Sequence, residues 1–211
     1  MNYDRIQEAF RFITPGLYLL ALLLIANLYK FRNDTDYVNT IEKLSSVIIV
    51  LLPFVGFVVG FMIESIMTWI ERCLYWIGIS RPSRKVLHGN SERYVLDERI
   101  RYAILKGEKV NDNKRANYFQ QVAKQHIGNN ELVSRFYHHS IMARHIVGAQ
   151  LLATVYYFTF GGEWIWWHFF IALSILVLLS IFWYHQNCVY MKYLFAEYGK
   201  QLLAKGEVAP N

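Results

Sequence analysis

Four stretches of the chain carry almost no charge. Residues 12–29 (FITPGLYLLALLLIANLY) run for 18 positions without one, residues 44–63 for 20 and residues 146–162 for 17. Residues 164–191 run for 28, with only His168 and His185 as possible charges. A membrane helix needs about 20 such residues to cross roughly 30 Å of hydrocarbon. The pattern therefore predicts four transmembrane helices, near 13–30, 45–71, 144–161 and 165–190. The alternative is a set of buried core helices in a soluble protein, but four such runs in so short a chain favour the membrane. Arg5 and Arg11 ahead of the first run imitate a signal peptide. The run is long for a signal core, and Ala26-Asn27-Leu28 is a poor cleavage site, so an uncleaved first helix is expected.

Composition agrees with this pattern. Of 211 residues, 55% are hydrophobic, 17% aromatic and only 18% charged, against about a quarter charged in soluble domains. Disorder is excluded by the apolar and aromatic content. The two cysteines, Cys73 and Cys188, lie 115 positions apart, which excludes a disulfide scaffold. No internal repeat is present.

Charge sets the expected orientation. Residues 81–145 hold 13 Lys/Arg against 6 Asp/Glu, a net +7 in a chain whose total is +6. The 30–44 loop is balanced, with Lys30, Arg32 and Lys43 against Asp34, Asp36 and Glu42, and the loop between the last two runs holds only Glu163. Lys192, Lys200 and Lys205 follow the last run. Positive residues favour the cytoplasmic side, so both termini and the basic middle segment are expected there. Trp164, Trp166 and Trp167 would mark the outer interface, and Trp69, Tyr75 and Trp76 the inner one.

The expected fold is an all-α integral membrane protein of two transmembrane hairpins with a helical, basic cytoplasmic insertion. Its expected parts are 1–80, the first hairpin with a helical extension; 81–130, the insertion; 131–199, the second hairpin; and 200–211, a tail. Arg81-Pro82-Ser83 should break the chain, because a residue before proline leaves the α region. Residues 114–127 read as a short helix with apolar Ala116, Phe119, Val122, Ala123 and Ile127. Gly128-Asn129-Asn130 stops it, and Asn129 is a good N-cap for a helix running into the third span. The second span should continue through Glu71-Arg72-Cys73 toward Gly78, giving a collar of helical extensions.

The second span holds the first candidate site. Pro53, Phe57, Gly60, Glu64, Thr68, Glu71 and Tyr75 fall near one line at 100° per residue. Gly56 and Gly60 form a GxxxG that lets helices approach closely. Glu64 lies at the inner end of the apolar run, where an ionisable group should face protein or water. One reading is a polar pathway at an oligomer axis, lined by Gly60, Glu64, Thr68 and Glu71, since acidic rings favour cations. The other is an interfacial Glu64 that snorkels or pairs with Arg72 or Arg144, with GxxxG packing the hairpin. Pro53 is either a hinge or a tolerated kink.

His138, His139 and His145 invite a metal reading, but the spacing opposes it. On a helix, His138 and His145 stand about 10.5 Å apart along the axis, too far to share an ion bound at about 2 Å. No metal or other cofactor is expected. The insertion carries Arg81, Arg84, Lys85, Arg93, Arg99, Arg101, Lys106, Lys109, Lys114, Arg115 and Lys124, interleaved with Tyr94, Tyr102 and Tyr118. Cation plus aromatic suits phosphate contact and base stacking; it also suits a solvated loop under an anionic leaflet. Arg135 would contact the collar or a ligand. Asn27, Gln150, Thr154, Ser174 and Ser180 read as interhelical glue. No phosphate-binding loop, dinucleotide fingerprint or nucleophile elbow is present, so no enzyme is expected.

The Ile13-Thr14-Pro15-Gly16 opening, the second span ending GFMIESIMTWIERCLYWIG, the basic insertion and the FYHHSIMAR approach to the third span together resemble the small four-helix membrane effectors of bacterial nucleotide-signalling and anti-phage operons. The resemblance is architectural and covers most of the chain. It implies a homo-oligomeric channel or membrane-disrupting effector of the bacterial inner membrane, gated by a cytoplasmic nucleotide, oligonucleotide or partner protein. Among oligomers, a tetramer is favoured. A sensor or scaffold that signals to a soluble partner through 81–130 is the alternative. A lipid enzyme using His138, His139 or His145 is the third.

Overall fold

The computed structural model describes residues 3–31, 35–89, 92–128, 130–160 and 166–206. Among these there are seven α-helices and no strand: α1 (Tyr3–Lys30), α2 (Thr35–Trp76), α3 (Pro82–His88), α4 (Glu98–Leu105), α5 (Asn113–Ile127), α6 (Glu131–Phe160) and α7 (Trp166–Ala204). Residues Glu92–Tyr94 form a 3₁₀ turn. Three helices contain segments long and apolar enough to cross a membrane: Ala9–Asn27, Ile49–Trp76 and Trp167–Ala204. The fourth expected span, 144–161, is helical to Phe160 but is not among these segments. Arg144, His145, Gln150, Thr154 and three hydroxyl-bearing neighbours dilute its apolar content. Trp164, Glu163, Arg32, Asp34 and Asn129 lie outside the described residues, as does the side chain of Trp166.

The chain divides into two compact units, residues 1–70 with 141–183 and residues 71–140 with 184–211. Each is discontinuous, so the division cuts across the blocks 1–80, 81–130, 131–199 and 200–211 expected from the order of runs.

In the first unit, α6 sits among α1, α2 and α7. Gly16 faces the backbone of Gly56, and Gly60 faces the backbone of Phe12. This reversed order of contacts makes α1 and α2 antiparallel. Any Cβ on Gly16 or Gly60 would overlap the opposing carbonyl, so the small residues set the helix separation. Gly148 of α6 takes the side chains of Ile63 and Met67, which would stand 2.8 and 2.5 Å from a Cβ there. Both side chains are almost fully buried. Over 141–160, Val155 and Phe160 are the only large apolar side chains of α6 left exposed. By contrast, α2 exposes Val50, Phe54, Val58, Phe61, Met62 and Trp69, and α7 exposes Phe170, Ile171, Leu178 and Ile181. Soluble proteins rarely leave contiguous apolar patches beyond a few hundred Å². A helix enclosed by other helices does not need a lipid-facing composition, and this stretch of α6 carries Arg144, His145, Gln150 and Thr154.

The second unit has its own core. Val86 and Leu87 of α3, Ala103 and Ile104 of α4, and Ala116, Phe119 and Ala123 of α5 pack on Cys188, Met191, Leu194, Phe195 and Leu202 of α7. One face of α7 from Cys188 to Leu202 is thus core, where the sequence suggested a span end followed by a tail. α2 stops as a Schellman turn: Ile79 N–H donates to Leu74 O (3.1 Å) and Gly78 N–H to Tyr75 O (3.4 Å). Gly78 takes φ +98°, which costs glycine little. Arg81 is extended and Pro82 opens α3, as the sequence predicts. Asp97 and Asp112 cap α4 and α5 by accepting from Arg99 N–H (2.9 Å) and Arg115 N–H (2.6 Å). The cap of α6 comes from Asn130, whose Oδ1 accepts from Val133 N–H at 3.2 Å. The expected 30–44 loop is largely helical, because α2 already begins at Thr35, with Asp36 in its first turn suiting the positive helix end.

Candidate functional site

Within the first unit, charged groups from three helices meet at Glu64 of α2. Arg144 Nη2 of α6 lies 3.5 Å from its carboxylate and Arg11 Nη2 of α1 lies 3.8 Å from it. The arginine side chains are 13% and 14% exposed and that of Glu64 25%, so this is a part-buried cluster and not a surface pair. Arg144 was one of the partners the sequence suggested. Arg11 was not, because nothing along the chain relates it to Glu64. The link is the close α1–α2 crossing at Gly60, which lays the α1 backbone at residue 12 beside α2 and sets Arg11 over Glu64. Gly56 and Gly60 therefore pack the α1–α2 pair, and the face of Gly60 expected to line a pathway is covered by Phe12.

A second tie joins α1 to α6 and also starts from sequence chemistry. Pro15 lies inside α1 and has no N–H, so the carbonyl four residues earlier, that of Arg11, loses its helical donor. His145 of α6 supplies the replacement: its Nδ1–H donates to Arg11 O at 3.1 Å. The imidazole is fully buried and stacks on Phe12 at 5.9 Å between centroids. The carbonyl acceptor places the proton on Nδ1. Among the described residues, Nε2 has no hydrogen-bond partner.

From here polar groups continue along α6. Tyr18 Oη donates to Gln150 Oε1 (2.7 Å), Gln150 Nε2 to Thr154 Oγ1 (3.4 Å), and Tyr156 Oη to Asn27 Oδ1 (2.9 Å). Tyr157 Oη and His168 Nδ1 of α7 are 2.6 Å apart. From Arg144 to Tyr157 these polar groups span about 20 Å of helix rise; at 100° per residue Gln150, Thr154 and Tyr157 share one stripe of α6, and Arg144 and His145 lie on other faces. The column is that stripe with the charged cluster before it. A cavity of about 310 Å³ opens along its far half, with Gln150, Thr154, Tyr157 and His168 on its polar side and Leu22, Ile25 and Ile171 among its apolar walls.

The remaining candidates lie apart from this cluster. Thr68 is half-buried on α2. In the second unit, Glu71 accepts from Tyr75 Oη at 2.7 Å, while Arg72 is exposed. Of the basic residues offered as ligand contacts, several hold the fold together. Arg81 lies 4.5 Å over the Tyr75 ring, donates to Asn117 Oδ1 (2.8 Å), and has its backbone N–H bound by Asn113 Oδ1 (3.0 Å). Lys85 sits 5.5 and 5.3 Å over Tyr94 and Tyr184. Arg115 pairs with Glu108, whose carboxylate holds the guanidinium proton more tightly than usual. Arg135 pairs with Glu131 one turn earlier at 2.9 Å. Arg84 is half-buried and Lys114 exposed. Arg99 and Arg101 line a separate cavity. Burial raises the Tyr94 phenol above its ordinary value. Among the described residues, no group of three His, Cys, Asp or Glu could hold a metal ion. Both cysteines are free.

The Pro15–His145 pairing yields a double-variant prediction. His145→Ala should cost about 1–3 kcal/mol by stranding the Arg11 carbonyl, plus a packing loss. Pro15→Ala restores the helical donor to that carbonyl, so in the His145→Ala background it should recover part of the loss. Thermal unfolding of the two single variants and the double variant in detergent measures the coupling. Strictly additive effects would mean that the carbonyl does not link the two residues.

Comparison with family models, with curated proteins and with solved structures finds no match to this chain.

Proposed function

We propose that the protein is a homo-oligomeric ion-conducting effector of the bacterial inner membrane, with both termini cytoplasmic, and that α6 crosses the bilayer as a fourth span shielded by α1, α2 and α7. The observation that supports this most is the polar column on α6. Its stripe is Gln150, Thr154 and Tyr157, with Arg144 and His145 one to two turns earlier on other faces of α6, inside a unit whose α2 and α7 surfaces are apolar. Polar and ionisable groups within a membrane span are costly beside lipid and gather where ions or protons pass. This reading moves the pathway from the Gly60–Glu64–Thr68–Glu71 stripe of α2 to α6, and makes Glu64 a tie at the column's Arg144 end. The exposed apolar faces of α2 and α7 supply lipid contact and the surface for assembly, with a tetramer as the working arrangement. Control comes from the basic unit, and activation collapses ion gradients and arrests growth, the outcome an anti-phage effector needs.

The test is ion flux from potassium-loaded liposomes carrying the purified protein, with and without cytoplasmic nucleotides. Flux is expected, and Gln150→Leu with Thr154→Val should lower it at least tenfold at unchanged helix content. Liposomes that stay tight under every condition would overturn conduction. If tight liposomes coincide with stable co-purification of a soluble protein through 81–130, the chain is a scaffold instead.

A further inference from the structure

The second unit contains a cavity of about 960 Å³ that the helical core does not fill. Its walls come from α3, α4, the turn after α4 and the end of α7. Leu87, Leu105, Val110 and Leu203 give it an apolar floor, and Arg99, Arg101, Lys109 and His88 stand around it. Glu98 and Glu108 line it too: Glu108 pairs with Arg115, which is not among the lining residues, and Glu98 stands 3.7 Å from Arg101 with its side chain 91% exposed to solvent. Arg99 and Lys109 make no ion pair among the described residues. Tyr102, one helical position beyond Arg101, is 54% exposed, a large ring left uncovered at the lining of a concavity.

We infer that this cavity binds a phosphorylated planar aromatic molecule, the chemistry of a nucleoside phosphate. Three features converge on that class. Arg99 and Lys109 supply positive charge not committed to the fold, which an anion needs. Arg101 is placed in advance: its guanidinium lies against Gly89, the left-handed residue (φ +74°) that ends α3, where a side chain would displace it. Tyr102 offers a ring face for base stacking, and the leucine and valine floor accepts the apolar edge of a base. A phosphate alone would use the cations and leave the ring and floor bare. An apolar ligand would leave the cations without a partner. The basic residues of the insertion thus separate by role: Arg81, Lys85 and Arg115 build the unit, and Arg99, Arg101 and Lys109 face the cavity.

The inference rests on the conduction reading only for its consequence, because binding is measured by itself. Isothermal titration of the full-length protein in detergent uses AMP and ATP as probes, with adenosine, inorganic phosphate, single-stranded RNA and an anionic lipid vesicle as controls. AMP or ATP should bind at least tenfold more tightly than adenosine or phosphate. Tyr102→Ala should weaken binding about tenfold and Tyr102→Phe should leave it unchanged, since stacking needs the ring and not the hydroxyl. Arg99→Gln with Lys109→Gln should weaken it further and flatten its salt dependence. Circular dichroism of the exposed-residue variants should match the wild type. Absence of nucleoside phosphate binding at millimolar concentration would overturn the inference. So would binding indifferent to Tyr102→Ala, or tighter binding to vesicles or single-stranded RNA than to either nucleotide. Nucleotide binding without liposome flux would leave this site standing and remove the conduction reading alone.

Discussion

Glu64→Leu should unfold or nearly unfold the first unit. The variant leaves Arg11 and Arg144, both more than four-fifths buried, without the acid that joins them. Removing one partner from a buried ion pair costs about 3–5 kcal/mol, because the charge left behind is uncompensated. That is a large share of the roughly 5–15 kcal/mol that holds most folds. Glu64→Asp should cost less, since it keeps the charge and loses only reach. In a double-variant cycle, Arg11→Met in the Glu64→Leu background should be less harmful than in the wild type, because it removes a buried charge that has lost its carboxylate. Thermal unfolding and gel-filtration profile in detergent are the readouts. A Glu64→Leu protein as stable as wild type would show that the three charges do not tie α1, α2 and α6 together.

The second large effect is expected at the helix crossing. Gly16→Val and Gly60→Val each place side-chain atoms where a backbone carbonyl already lies. Backbone cannot rotate aside as a flexible side chain can, so α1 and α2 must separate. Separation would also lengthen the Arg11–Glu64 contact, so the cost should exceed the 1–3 kcal/mol typical of overpacking. Gly56→Ala is the control. A Cβ at Gly56 would meet the Leu17 side chain at 3.0 Å, and that side chain can shift. The expected order of melting temperature is wild type, then Gly56→Ala, then the two valine variants. A valine variant that melts with the wild type would contradict the crossing.

The helices themselves were legible in the sequence. The uninterrupted runs at 12–29, 44–63 and 164–191 mark α1, α2 and α7, and the Pro82 break and the amphipathic 114–127 segment give the starts of α3 and α5. Period and length carry that information locally. What could not be read was what each helix faces. The α2 stripe from Pro53 to Tyr75 groups residues by angle, but angle does not say that Phe12 covers Gly60 or that Arg11 reaches Glu64. The role of Pro15 is visible only when His145 stands beside the carbonyl it frees, 134 positions away. The weak hydropathy of 144–161 pointed the same way, since its polar residues are tolerable where other helices enclose them. The basic insertion read as one patch because the sequence does not separate cations stacked on Tyr75, Tyr94 or Tyr118 from those that face a cavity.

The central claim, that ions pass along α6, is tested most directly by thiol modification during flux. In a Cys73→Ser, Cys188→Ala background, single cysteines replace Gln150, Thr154, Tyr157 and, as a lipid-facing control, Val155, which is 55% exposed on the same helix. A membrane-impermeant, water-soluble thiol reagent is added to conducting liposomes. Modification at 150, 154 and 157 with loss of flux, and no change at 155, is the predicted result. Reaction at 155 in preference to the other three, or modification at 150, 154 and 157 that leaves flux intact, would contradict the account.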